Sequence, residues 1–340
     1  MTTGLQDQLT AFVRAQVGAA APRIEGLARL GVGRSRENWI FDAHRPDGGI
    51  DHLILRQDPP GGLVSTDRGT EFAVLRALEG SGIAAPRALW LDADAQWLER
   101  PSLVMYREPG ACEYDAVNGH RPAQARLCLA REFCDLLVAV HEVDWRAIGL
   151  GEVLPDPGSH PSRTELRGWE AVLRRDQVEA YPELEFVIDA LAATAPACAD
   201  PVLVHADFKP GNVLLEGDRI TALLDWELAH LGDPMEDLGW VTQPLRTREH
   251  LIRGAWERAD LISHYELARG IAVDLEALAW WNTFASFKTA VMQVSGLRAF
   301  LDGRSDDAYR PTRKVLRAAL AGITHAVQQE TRGKAHATHA

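Results

Sequence analysis

The chain has 340 residues, 46% of them hydrophobic, with 36 Lys and Arg against 48 Asp and Glu and a formal net charge of -12. That length and apolar content supply core for two lobes or domains and exclude disorder away from the ends; the acidic balance without a basic run excludes the footprint of a nucleic-acid binder. No apolar run approaches membrane-spanning length, and Cys112, Cys128, Cys134 and Cys198 form neither a C-x-x-C pair nor a zinc spacing, so no membrane partner and a reducing, cytoplasmic setting are expected.

Met1 to Gln16 carries an amphipathic helical pattern. Leu30 to Phe41 reads as strand, glycine turn, strand, with Gly31 and Gly33 in the turn. After a second turn at Asp47-Gly48-Gly49, Ile50 to Arg56 has strand character and ends in a cation. Asp67 to Leu78 shows a helical stripe of Phe72, Leu75 and Leu78, with Glu71 in its first turn, where the helix dipole alone also favours a carboxylate. Ser102 to Gly110 is an apolar strand broken by Pro109-Gly110, the composition of a hinge. Helical patterning then covers Ala123 to Val143, Leu166 to Asp176, Leu184 to Ala193, His250 to Arg269 and Leu275 to Phe300. The tail from Thr331 has too few apolar residues to pack and is expected to be loose.

Between the helical runs lies Val202 to Trp240. It reads as a short buried strand (VLVH), a loop (HADFKPGN), two strands joined by a turn at Gly217, and a loop leading into a helix. This order puts Asp207, Asn212 and Asp225 on loops or strand ends facing one cleft. The residue types fit phosphoryl transfer. A hydroxyl that attacks a terminal phosphoryl group has to be oriented and lose its proton, which suits Asp207; the nucleotide's phosphates call for Mg²⁺, a hard cation that takes oxygen from a carboxylate and an amide, which suits Asp225 and Asn212. His205-Ala206-Asp207, four residues and Asn212 repeat the offset of the kinase catalytic loop. Taken singly, each is a turn former or a cap; the joint spacing is what carries the reading. His205, Asp233 and Asp237 read as structural supports of the loop and of the following helix.

The segment resembles the aminoglycoside phosphotransferase and choline kinase-like family, with its His-Gly-Asp-x-x-x-x-Asn motif, its Ile-Asp-Trp-Glu block (here Leu224-Asp225-Trp226-Glu227) and the Gly232-Asp233-Pro234 continuation. Ala206 replaces the common glycine, a change without consequence if its φ is negative. The resemblance runs more weakly from about Leu27 to Phe300 and is nearest to the branch related to the kinase-like domains of certain acyl-CoA dehydrogenases. It implies an α+β, protein-kinase-like two-lobe fold, with a five-stranded antiparallel sheet lobe over residues 1–107, a larger helical catalytic and acceptor-binding lobe over 108–330 and a tail over 331–340.

Within that frame Gly33 and Ser35 are expected over the phosphates, and Arg56 replaces the usual strand lysine, paired by Glu71. The alternative for Arg56 is an exposed strand end. Met105 is placed beside the nucleotide base, with Tyr106 and Glu108 lending hinge backbone groups. Glu227, Trp280, Trp281 and Lys288 are the acceptor-side candidates, against the plainer reading of the aromatics as core. The expected activity is O-phosphorylation of a small-molecule hydroxyl by ATP or GTP, with a metabolic alcohol or hydroxyacyl-CoA ahead of an aminoglycoside or macrolide; the alternative is an inactive kinase-like nucleotide-binding module.

Overall fold

The computed structural model describes residues 2–18, 21–30, 37–57, 68–305 and 310–323. Helix α1 (Thr2–Val17) leads into strands β1 (Arg23–Arg29), β2 (Glu37–His44) and β3 (Ile50–Gln57), followed by helix α2 (Arg68–Leu78) and strands β4 (Ala88–Asp92) and β5 (Ser102–Tyr106). The five strands form one antiparallel sheet in the order β1-β2-β3-β5-β4.

Side-chain alternation sets the two faces of this sheet. Leu53 and Leu55 of β3 and Val104 of β5 pack with Leu9, Phe12 and Val13 of α1. Leu103 and Met105 of β5 pack with Val74, Leu75 and Leu78 of α2, and Ile54 of β3 joins them. Two residues beyond Ile54, Arg56 falls on the same face and is turned toward α2.

The chain then passes through strand β6 (Ala111–Cys112) into helices α3 (Ala123–Glu142), α4 (Pro161–Asp176) and α5 (Pro182–Ala193). Strands β7 (Val202–Val204), β8 (Val213–Glu216), β9 (Arg219–Leu223) and β10 (His230–Gly232) follow, with β7 paired to β10 and β8 between β6 and β9. Helices α6 (Pro234–Thr242), α7 (Thr247–His250), α8 (Arg258–Arg269) and α9 (Leu275–Leu301) follow, and residues 313–323 are helical as well. Helices α6 and α9 cross in backbone contact: a Cβ on Gly239 would lie 2.7 Å from the Trp281 Cβ and 2.8 Å from its carbonyl carbon. Only glycine permits that approach, and it fixes α6, and with it Asp233 and Asp237, below the loop of residues 205–212, the candidate catalytic loop.

Of the helix expected over His250 to Arg269, only Arg258 to Arg269 forms as one piece. The chain ends α7 at His250, makes a bridge between Ile252 and Trp256 around Gly254 at φ 78°, and starts α8 through a reciprocal cap between Glu257 and Asp260. Leu251, Ile252, Ala255 and Trp256 extend the apolar period of α8 backwards, and the glycine and capping pair interrupt it. Gly33, Ser35 and the tail 331–340 lie outside the described residues. Among the described residues no helix is long and apolar enough to cross a membrane.

Candidate active site

Strand β7 delivers His205, Ala206 and Asp207 to the cleft between sheet and helices. The His205 ring is buried, and its Nε2 donates to the Leu224 carbonyl at 2.8 Å while Nδ1 accepts the Asp207 N–H at 3.2 Å. Those two partners fix the tautomer and tie the catalytic loop to the strand that carries Asp225. Asp237 of α6, fully buried, accepts the His205 N–H at 2.7 Å and the Ala206 N–H at 2.8 Å. Burial alone would raise the Asp237 pKa; the hydrogen bond and charge of His141, with the His205 contacts, outweigh it and hold the carboxyl below its ordinary value. Asp233 caps α6 by accepting the Met235 N–H at 2.8 Å. Both aspartates therefore support the site, as their positions in the sequence imply.

Ala206 adopts φ 67°, in the left-handed region. The condition under which its substitution for glycine would be neutral, a negative φ, is not met, and a Cβ there costs about 1 kcal/mol.

Asp207 and Asn212 meet directly. The Asn212 side-chain amide donates from Nδ2 to the Asp207 carbonyl and to its Oδ2, both at 3.0 Å, which leaves Oδ1 as the atom it could offer a metal ion. Lys209 Nζ lies 2.5 Å from the same Oδ2. Lys209 was missed in the sequence, although a cation two residues beyond the proposed base is visible there.

Asp225 stands at φ 66° ahead of a short 3₁₀ turn, Trp226–Leu228. Its Oδ1 accepts from Arg56 Nη2 at 2.5 Å. Arg56 also reaches Glu71 Oε1 at 3.0 Å and Glu227 Oε2 at 3.8 Å, and Glu71 takes a second cation, Arg68, from its own helix. Arg56 is therefore not an exposed strand end: it is 8% exposed and spans the cleft. Burial opposes its charge, but Glu71, Asp225 and Glu227 together raise its pKa above the ordinary arginine value. For Asp225, burial likewise opposes ionisation, and the Arg56 charge and hydrogen bond win, holding the carboxyl below its ordinary value. Glu227, an acceptor-side candidate in the sequence, lies beside Arg56 instead.

The remaining candidates divide. Met105 is buried against the α2 core, while Tyr106 and Glu108 stand at the hinge, half-buried. The Tyr106 N–H is already donated to the Arg87 carbonyl at 2.9 Å, so it is not a group that could be lent to a base. Trp280 and Trp281, expected along an acceptor wall, are core: Trp280 donates to the Leu191 carbonyl at 3.0 Å, and fully buried Trp281 donates to Asp233 at 3.1 Å. Lys288 is buried as well, with Nζ 2.8 Å from the Ala206 carbonyl, so it touches the catalytic loop from behind. Aromatic residues along α9 are what a helix buried on all sides requires.

His250 stacks on Phe208 of the catalytic loop at 6.3 Å between ring centroids. Burial, aided by the Arg246 charge, pushes its pKa down to about 3. The unfolded chain takes up this proton below about pH 6.5, whereas the fold refuses it until about pH 3, so the contribution to stability is present above pH 6.5 and is lost as pH falls toward 3. His250→Phe should remove that dependence. Relative to the wild type it should gain about 2 kcal/mol on going from pH 7.5 to pH 5 in denaturant titrations; parallel pH profiles would contradict the assignment.

The comparisons with known proteins agree with this geometry. The family model described as the phosphotransferase enzyme family (APH) matches residues 26–281. Acyl-CoA dehydrogenase family member 10 of Mus musculus is 28% identical over 241 residues, covering 69% of this chain but 22% of that protein, so the chain spans only a small part of that relative. Among solved structures, a Ralstonia eutropha protein named as a candidate aminoglycoside phosphotransferase superposes with a TM-score of 0.69 at 22% identity, covering 94% of each chain. Choline kinase LicA from Streptococcus pneumoniae superposes at 0.62 with 16% identity, over 94% of this chain and 98% of that one, and LicA has also been solved with AMP. Those two likenesses show the shared fold, a five-stranded antiparallel sheet followed by a mainly helical part. By the match over residues 26–281, the chain belongs to the phosphotransferase enzyme family.

Proposed function

We propose that this protein transfers the terminal phosphoryl group of ATP or GTP to a hydroxyl of a small metabolic molecule. One observation carries the reading: Arg56 bridges Glu71 of α2 and Asp225 of the helical part, with Asp207 and Asn212 hydrogen-bonded to each other on the same loop. Phosphoryl transfer is mostly positioning and charge stabilisation, and these residues supply both. Asp207 accepts the acceptor's proton and aims its oxygen; Arg56 and Lys209 steady the negative charge of the phosphates. Asp225 and the Asn212 Oδ1 are a hard-oxygen donor pair that fits Mg²⁺, which when bound neutralises the phosphate oxygens.

A hydroxyacyl thioester or another metabolic alcohol is the acceptor we favour over an aminoglycoside or macrolide, because the relative matched over 69% of this chain is named for acyl-CoA dehydrogenation. The assay measures nucleotide consumption with pools of hydroxyacyl-CoA, sugar alcohols and aminoglycosides. Turnover restricted to the aminoglycoside pool would reverse that preference, and nucleotide binding without turnover on any pool would leave an inactive nucleotide-binding module.

Asp225→Asn keeps the shape and the hydrogen bond to Arg56 but removes a charge from the metal pair. Nucleotide affinity should fall by roughly tenfold or more, and the thermal stabilisation by nucleotide should no longer depend on magnesium. A mutant with the magnesium dependence of the wild type would count against Asp225 as a ligand.

A further inference from the structure

The peptide joining Ala206 to Asp207 is held at both ends. Its N–H is donated to His205 Nδ1 at 3.2 Å, and its carbonyl accepts from Lys288 Nζ at 2.8 Å. Lys288 comes from α9, 82 residues away in sequence, and is only 1% exposed. A lysine is rarely buried without partners, and this one has a built seat. Glu236 of α6 lies 3.5 Å from its Nζ and is itself paired with His230 at 3.1 Å, while the ring faces of Trp169 and Trp240 flank the ammonium at 5.2 Å each. The seat aims the ammonium at one backbone oxygen, the carbonyl of the peptide that leads into Asp207.

We infer that Lys288 is a positioning residue: it clamps the Ala206 carbonyl and thereby fixes the plane of the peptide that leads into Asp207 and the direction in which Asp207 leaves the backbone. Asp237 holds the two N–H groups before this peptide, so the clamp is needed only for the plane that carries Asp207 itself.

The activity arm of the test rests on the phosphotransfer reading; the exchange arm does not. Lys288→Met fills the same volume without the charge. It should lower kcat on the order of 100-fold by misplacing the base, with the KM for nucleotide within about three-fold. Glu236→Gln keeps the lysine but loosens its seat, and should lower kcat by a smaller factor, on the order of tenfold. Loosening of the core alone would shift the nucleotide KM together with kcat. Independently of any substrate, the Asp207 backbone amide should exchange hydrogen about tenfold faster in Lys288→Met than in the wild type.

Unchanged exchange at Asp207 with full turnover in Lys288→Met would overturn the clamp. Should that variant fail to fold, unchanged Asp207 exchange in Glu236→Gln would overturn it instead. A wild type that neither binds nor consumes nucleotide would refute the proposed reaction while leaving the exchange arm to decide the clamp.

Discussion

Asp207→Asn should lower phosphoryl transfer by two or more orders of magnitude while nucleotide affinity stays within about three-fold. The carboxylate accepts Lys209 Nζ at 2.5 Å and Asn212 Nδ2 at 3.0 Å on the same oxygen, and its side chain is 15% exposed, so one face remains open to an acceptor hydroxyl. The amide keeps the shape and can still present an oxygen to those donors. What it loses is proton affinity, and with it the ability to take the hydroxyl's proton as the phosphoryl group departs. In the proposed function the nucleotide is held elsewhere, by Arg56 and by the pair Asn212 and Asp225, so its affinity should be spared. The expected loss of stability is about 1 kcal/mol, from a charged hydrogen bond made neutral. Transfer kinetics and a melting curve on the same sample separate the outcomes: equal loss of transfer and nucleotide affinity would make Asp207 a structural support of the loop and not its base.

Local residue offsets carried most of the site into view. Asp207, Asn212 and Asp225 lie within one segment, and strand alternation from Ile54 to Arg56 placed the guanidinium on the α2 side, where Glu71 meets it. What stayed hidden depends on contacts between segments far apart in the chain. The backbone on either side of Ala206 is held by Asp237 at its N–H and Lys288 at its carbonyl, 31 and 82 residues away, and no local pattern encodes that. Lys288 was noticed for being a cation among aromatics, but the same pattern fits a residue facing a pocket and one sealed behind a loop. Trp281 misled for a related reason: its indole N–H has a buried acceptor in Asp233, which only the crossing of α6 and α9 brings within reach. The break before α8 was legible in Gly254 and in the pair Glu257 and Asp260, yet the apolar period running across it favoured one long helix.

Arg56→Ala should be the most damaging single change to the fold and should also remove most nucleotide affinity. The guanidinium sits among Glu71, Asp225 and Glu227, whose side chains are 1%, 28% and 12% exposed. Removing it leaves carboxylates in low dielectric without their shared cation, a loss on the order of 3–5 kcal/mol for buried pairs. Glu71 is the least affected of the three because Arg68 still pairs with it; the penalty falls on Asp225, which loses the partner that keeps it ionised. Arg56→Lys should retain substantial activity, since a point charge can face Asp225 or Glu71, but a lysine lacks the fork that reaches both at once. Glu71→Gln should weaken nucleotide binding by a smaller factor, through a guanidinium less firmly held. If Glu71 acts by bracing Arg56, the two effects will not add, and a double-mutant cycle on nucleotide affinity should give a coupling of about 1–3 kcal/mol. A coupling of zero would separate the ion pair from nucleotide binding, leaving Arg56 a structural bridge between β3 and the Asp225 loop; full activity in Arg56→Ala would leave the phosphates to Lys209 and to the Asn212 and Asp225 pair.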